Sequence, residues 1–157
     1  MPPKLPAALR ARVRIRARFL CEYCHTDETW QYVPFTVDHV FPSSLGGLDT
    51  FYNLALACFH CNRRKSNLRM AFDGQSGRVV PLFNPRKHRW KDHFIWSRNR
   101  LLIIPLTPTG RVTVKQFDLN RDRIQQIRSA DASIGRHPPL NDTVQTVEVQ
   151  SPPSEEQ

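Results

Sequence analysis

Apolar positions in this 157-residue chain fall into several distinct periods. Leu5, Leu9, Val13 and Leu20, with Ala8 and Ala17 between them, recur at helical spacing. A second period overlies the first: Arg10, Arg12, Arg14, Arg16 and Arg18 alternate with Ala11, Val13, Ile15 and Ala17, as in a strand. Ala, Leu and Arg are good helix formers, and Pro6 suits a first helical turn. In residues 29–36, Trp30 and Tyr32 fall on one side of a predicted strand that Pro34 closes. Val37, Asp38, His39 and Val40 read as a strand end running into a Pro/Ser/Gly turn at residues 42–47. Residues 48–57 read as a short helix that Asp49 or Thr50 caps, and residues 62–69 as another. Beyond residue 71, apolar runs separated by turn signals predict strands near residues 78–82, 93–96, 101–105 and 112–115, with a turn at 107–110. A terminal helix is expected over 118–129, capped by Asp118 or Asn120. Residues 129–157 carry Pro138, Pro139, Pro152, Pro153 and little apolar content, which predicts a disordered tail.

Four cysteines change the picture. They form two C-x-x-C pairs, Cys21 with Cys24 and Cys58 with Cys61, separated by 33 residues. Each pair turns two sulfurs towards one point, and four thiolates around one ion make a closed structural Zn²⁺ site. Two disulfides or reduced core thiols are the competing explanation, but paired x₂ spacing is commoner in metal knuckles. His25 and His60 lie beside the knuckles and are read as neighbours, because four sulfurs already fill a tetrahedron.

The insert between the pairs carries the candidate chemistry. Asp38 and His39 are adjacent, so a strand sends them to opposite faces unless a bulge or turn re-aims one. Asn62 opens a helix rich in Arg63, Arg64 and Lys65, where the helix start favours an anion. A carboxylate, an imidazole and a carboxamide converging beside three cations suit a phosphate and a metal.

The stretch VDHVFPSSLGGLDTFYNLALACFHCNRRKSN resembles the HNH endonuclease motif in its four-cysteine, zinc-supported form. The shared pattern is C-x-x-C, D-H-x-x-P-x-S-x-G-G, N-L and C-x-x-C-N-x-x-K. The resemblance implies an α+β fold with a small ββα-metal core, two antiparallel strands and a helix around a catalytic ion. It implies His39 as general base, Asp38 and Asn62 as ligands of the catalytic ion, and Asn53 as the residue that holds the His across the loop. Lys65 or an arginine would add charge at the phosphate. Asn62 stands where many members carry His, and a carboxamide oxygen leans towards Mg²⁺ or Mn²⁺. Members often carry a helix before the first knuckle, which decides the N-terminal stretch in favour of helix. Motifs LFNPR, DHF-x-W and LNR resemble an extension found in a bacterial subset of HNH proteins. The expected layout is a basic N-terminal helix (1–20), a nuclease core (21–70), a β-rich extension packed on it (71–128) and an acidic tail (129–157).

Charge sharpens the choice of partner. The net charge is +9, but residues 1–128 carry +13 and residues 129–157 carry −4. A basic body predicts a polyanion partner, DNA in the first place, with RNA left open. Arg63, Arg64, Arg14, Arg16, Arg86 and Lys87 are the expected nucleic-acid contacts. The cluster of Arg86, Lys87, His88, Arg89 and Lys91 around Trp90 reads either as phosphate contacts with a stacking ring or as a solvated loop over a buried Trp. Asp92 and His93 form a second D-H pair without the turn and cysteines that follow the first, so no second site is expected there. No apolar run is long enough to span a membrane, and no secretory h-region follows the N-terminal arginines. With zinc-type cysteines this predicts a cytoplasmic protein. The competing functions are a non-catalytic nucleic-acid-binding zinc module, and a protein-interaction module using the aromatic extension.

Overall fold

The structure is a computed structural model and describes residues 4–142. Helix α1 (Ala7–Arg16) starts directly after Pro6, and Arg14 and Arg16 in its last turn suit the negative end of its dipole. It buries Val13, and Ala17 just beyond it, against the core. The chain then turns sharply through Arg18 and Phe19, both at positive φ, into the first cysteine knuckle. That knuckle is closed by Cys21 N–H donating to the Thr26 carbonyl at 2.9 Å and His25 N–H donating to the Cys21 carbonyl at 2.8 Å.

Strands β1 (Thr36–His39) and β2 (Leu54–Ala57) pair antiparallel, with Asp38 opposite Ala55 and His39 opposite Leu54. All four β2 residues are buried. Helix α2 (Phe59–Lys65) follows at once, with Cys58 as its N-cap. These three elements form the ββα unit. Residues 48–57 are therefore no helix: residues 48–53 turn, and Leu54–Ala57 is strand. A four-residue apolar run is ambiguous between a buried helix segment and a buried strand, and pairing with β1 decided it. The expected strand at 29–36 is also corrected. Glu28–Trp30 is one 3₁₀ turn, and Trp30 and Tyr32 are exposed.

After the ββα unit come two hairpins, β3 (Met70–Asp73) with β4 (Arg78–Pro81) and β5 (Phe94–Trp96) with β6 (Ile103–Pro105). The short helix α3 (Trp90–His93) leads into β5. Helix α4 (Pro108–Phe117) occupies residues expected to hold a strand at 112–115. The T-P-T-G read as a turn is its start: Thr107 Oγ1 accepts from Gly110 N–H at 3.0 Å, and Pro108 fills the first position. Val112, Thr113 and Phe117 then fall on one buried helical face.

Asp118 ends α4 in the left-handed region, and α5 (Asp122–Ser133) follows with no side-chain cap. Asn120 instead braces the β6 backbone, accepting from Ile103 N–H and donating to Ile103 carbonyl, both at 2.8 Å. The expected tail is corrected up to residue 142. Helix α5 runs to Ser133, and Asp142 accepts from Trp96 Nε1–H at 3.2 Å. Residues 143–157, the rest of that expectation, lie outside the described residues.

Tyr23, Leu54, Leu56, Phe94, Trp96, Ile103 and Phe117 belong to one continuous core around the cysteines. Among the described residues no helix is long and apolar enough to cross a membrane.

One ion pair ties the extension together and gives it a pH dependence. Asp73 accepts two hydrogen bonds from Arg111, at 3.1 and 2.8 Å, and one from Ser76 N–H at 3.0 Å. Those bonds, Arg111's first, hold its carboxyl well below the usual carboxylate range. A depressed folded pKa stabilises the fold above the unfolded value, about 4, and that contribution is lost as pH falls towards the folded value. Asp73→Asn is expected to lower the melting temperature at neutral pH and to flatten the loss of stability below about pH 4. An equal melting deficit at both ends of a pH series would refute this.

Candidate active site and four-cysteine centre

The scaffold is built first. The four Sγ atoms all lie within 4.8 Å of one another, and Cys24 and Cys58 are 3.8 Å apart. A Zn–S distance of about 2.3 Å gives a tetrahedral edge of about 3.8 Å, so the cluster suits zinc. The thiols are free, and three of the four residues are buried. Burial pushes the Cys21 thiol well up, while hydrogen bonds from Cys21, Cys58 and Cys61 pull Cys24 well down. His25 stacks on Trp90 at 4.2 Å between centroids, and His60 Nε2 bonds the Phe117 carbonyl at 2.7 Å. Neither joins the cysteine cluster.

Both knuckles are fastened to the ββα unit. Glu22 N–H donates to Leu56 carbonyl at 2.9 Å, and Leu56 N–H donates to the Glu22 carboxylate at 2.8 Å. Cys58 Sγ accepts from Cys61 N–H at 3.4 Å. The first turn of the seven-residue α2 is thus turned to the sulfur cluster, where the sequence suggested an anion site.

Asp38, His39 and Asn62 line one open cleft of about 320 Å³, with Pro42, Ser43 and Ser44 on its other wall. The β1–β2 register stays regular through His39. No bulge interrupts the pairing, and Val40 N–H still donates to the Asn53 carbonyl at 2.9 Å one step beyond the strand.

Asp38 is buried and heavily partnered. Tyr23 Oη donates to Oδ2 at 2.7 Å, and Lys65 Nζ lies 3.1 Å from Oδ2 and 3.3 Å from Oδ1. Burial raises the Asp38 pKa, and Lys65 and Tyr23 pull against it. Lys65 Nζ also donates to the His39 carbonyl at 2.8 Å. It is 4% exposed, so it braces the carboxylate and does not reach into the cleft towards a phosphate as expected.

His39 Nε2 lies 2.6 Å from Asp49 Oδ1. Sequence reasoning gave Asp49 only a capping role, because nothing in linear spacing announces a contact across ten residues. Asn53 knits the intervening loop: Oδ1 accepts from Phe41 N–H at 2.9 Å, and Nδ2 donates to the Phe41 and Leu48 carbonyls, each at 3.0 Å. The Gly-Gly pair makes this loop possible. Gly46 has φ +93°, and a Cβ on Gly47 would sit 1.9 Å from the Phe41 carbonyl oxygen.

Most of the expected nucleic-acid contacts are committed elsewhere. Arg14 donates to Glu28 at 2.9 Å and to Phe35 carbonyl at 2.7 Å. Arg16 donates to the Phe51 and Leu54 carbonyls and lies over the Phe51 ring. Arg86 pairs with Glu22, and Arg64 Nε–H donates to Gln116 carbonyl at 2.9 Å. These guanidiniums hold elements of the chain together. Arg63 and Lys87 stay exposed and unpaired among the described residues. Trp90 is buried, its Nε1–H donating to Tyr23 carbonyl at 3.0 Å. In the second D-H pair, Asp92 accepts from Arg89 Nε–H at 3.0 Å and His93 Nδ1 lies 2.6 Å from Thr107 Oγ1.

Residues 21–68 match the family described as HNH endonuclease. No curated protein and no solved structure matches the chain.

Proposed function

We propose, starting from the HNH endonuclease domain that residues 21–68 form, that the protein is a metal-dependent endonuclease that hydrolyses phosphodiester bonds in DNA. The observation that carries this reading is the single cleft lined by Asp38, His39 and Asn62 on a four-cysteine scaffold.

Phosphodiester hydrolysis needs a base for water, charge at the phosphate and help for the leaving oxygen. His39 takes the proton from the attacking water. Asp49 at Nε2 orients the imidazole, as a carboxylate does for a histidine base. Asn53 positions the loop that follows His39 and touches no reacting atom. Asp38 and Asn62 offer hard oxygen donors, which fits Mg²⁺ or Mn²⁺. Such an ion, when bound there, supplies charge for the phosphate and the departing 3′ oxygen. Tyr23 and Lys65 fix the Asp38 carboxylate for that task from behind. Arg63, at the exposed surface of α2, is free to meet the backbone.

The test is plasmid cleavage with Mg²⁺, with Mn²⁺ and with EDTA, for the wild type and for Asn62→Ala. Cleavage is expected with either ion and not with EDTA. Asn62→Ala is expected to raise the ion concentration needed by about tenfold, zinc content unchanged, from the loss of one ligand. Binding without cleavage in every metal would replace this reading with the non-catalytic zinc module.

A further inference from the structure

A second concavity adjoins the cleft. It holds about 380 Å³ and runs between the loop after β1, the end of α2 and the segment after β4. Lys65 belongs to its lining, and the Lys65 Nζ lies 3.1 Å from Oδ2 of Asp38 in the lining of the cleft. The two hollows therefore share a wall.

Its chemistry is unlike the cleft's. Tyr52 is 83% exposed, Met70 46% and Phe41 39%. The Arg69 guanidinium lies 4.7 Å from the Phe41 ring centroid. Arg69 and Lys87 are exposed and carry no ion pair among the described residues. No Asp or Glu lines this groove. His88 accepts Asn84 N–H at Nδ1, 3.0 Å away, which leaves Nε2–H as a donor at the groove.

We infer that this groove binds unpaired nucleotides of the strand being cut, so that the substrate class is nucleic acid with single-stranded character beside the scissile phosphate. This rests on the nuclease reading only for the identity of the polymer. Exposed aromatic and thioether faces bind base faces, and cations beside them follow the backbone. A duplex buries its base faces in its own stack and cannot offer them. Base stacking on an aromatic ring is worth a factor of about 5 to 150 in affinity, largely independent of sequence.

The experiment is fluorescence anisotropy on the full zinc-loaded chain without Mg²⁺ or Mn²⁺. The probes are a labelled single-stranded DNA oligonucleotide and a duplex of the same sequence. The single strand is expected to bind tighter. Tyr52→Ala, at an exposed ring, is expected to weaken single-strand binding by about fivefold or more and duplex binding by less than about twofold. Tyr52→Phe is expected to retain the wild-type value, since stacking needs the ring and not the hydroxyl. Lys87→Ala is expected to weaken both probes alike and to lower the salt slope by about one. Equal losses on both probes for Tyr52→Ala, or no loss on the single strand, would overturn the inference. The two readings fail separately. Cleavage without single-strand preference sinks this one, and single-strand preference without cleavage in any metal sinks the nuclease.

Discussion

His39→Ala is expected to reduce plasmid cleavage by roughly two to four orders of magnitude, the usual contribution of a positioned general base. The argument rests on where His39 sits. It closes β1 and lines the cleft, and its Nε2 lies 2.6 Å from Asp49 Oδ1. Truncation removes the base and leaves the four cysteines and the partners of Asp38 in place. Zinc content, the thermal melt and oligonucleotide affinity should match the wild type. Its backbone carbonyl, which Lys65 uses, is unchanged by the substitution. A variant that cuts at the wild-type rate would remove His39 from the mechanism and leave the conjunction of Asp38, His39 and Asn62 without a catalytic meaning.

Cys61→Ser is expected to cost the fold. Cys61 and Cys21 are fully buried at the junction of the first knuckle, β2 and α2, and the cysteines belong to the continuous core. Apparent binding energies of structural zinc reach about 10–16 kcal/mol in small domains. Net stabilities of whole domains are only about 5–15 kcal/mol. Losing one ligand from the set therefore removes an amount comparable to the entire margin. Elemental analysis should find the variant without zinc, near-ultraviolet circular dichroism should collapse, and the melt should lose cooperativity. A zinc-free variant with a wild-type melt would show that the tetrad is a core of reduced thiols and not a metal centre.

What the sequence made legible was what local spacing encodes. Two C-x-x-C pairs, the D-H before a Gly-Gly turn and the N-x-x-K after the second pair each carry their geometry within a few residues. In the N-terminal stretch helical and strand periods competed, and the resemblance to HNH proteins decided for the helix. Other features depended on partners far along the chain. The strand at Leu54–Ala57 was hidden in a short apolar run whose identity depends on β1. Helix α4 was hidden because V-T-V-K alternates like a strand, while the T-P-T-G before it serves equally as a turn or a cap. Charge alone did not show which cations bond within the chain. Arg14, Arg16 and Arg86 look alike in sequence whether they face a phosphate or a carbonyl of their own chain, and here they face the chain. Asp49 and Tyr23, which contact His39 and Asp38, lay outside any motif because their roles depend on folding alone.

The short helix α2 links metal scaffold and cleft by phase. An α-helix turns about 100° per residue, so Cys58, Cys61 and Lys65, at steps of three and four, fall along one face. The first two look into the sulfur cluster and the third meets Asp38. Asn62, one step round from Cys61, is turned to the cleft. The C-x-x-C-N-x-x-K spacing thus works as a ruler read in angle. Adding one uncharged residue between Cys61 and Lys65 would leave the charge and the zinc ligands intact, yet rotate the amine about 100° away from the carboxylate it steadies.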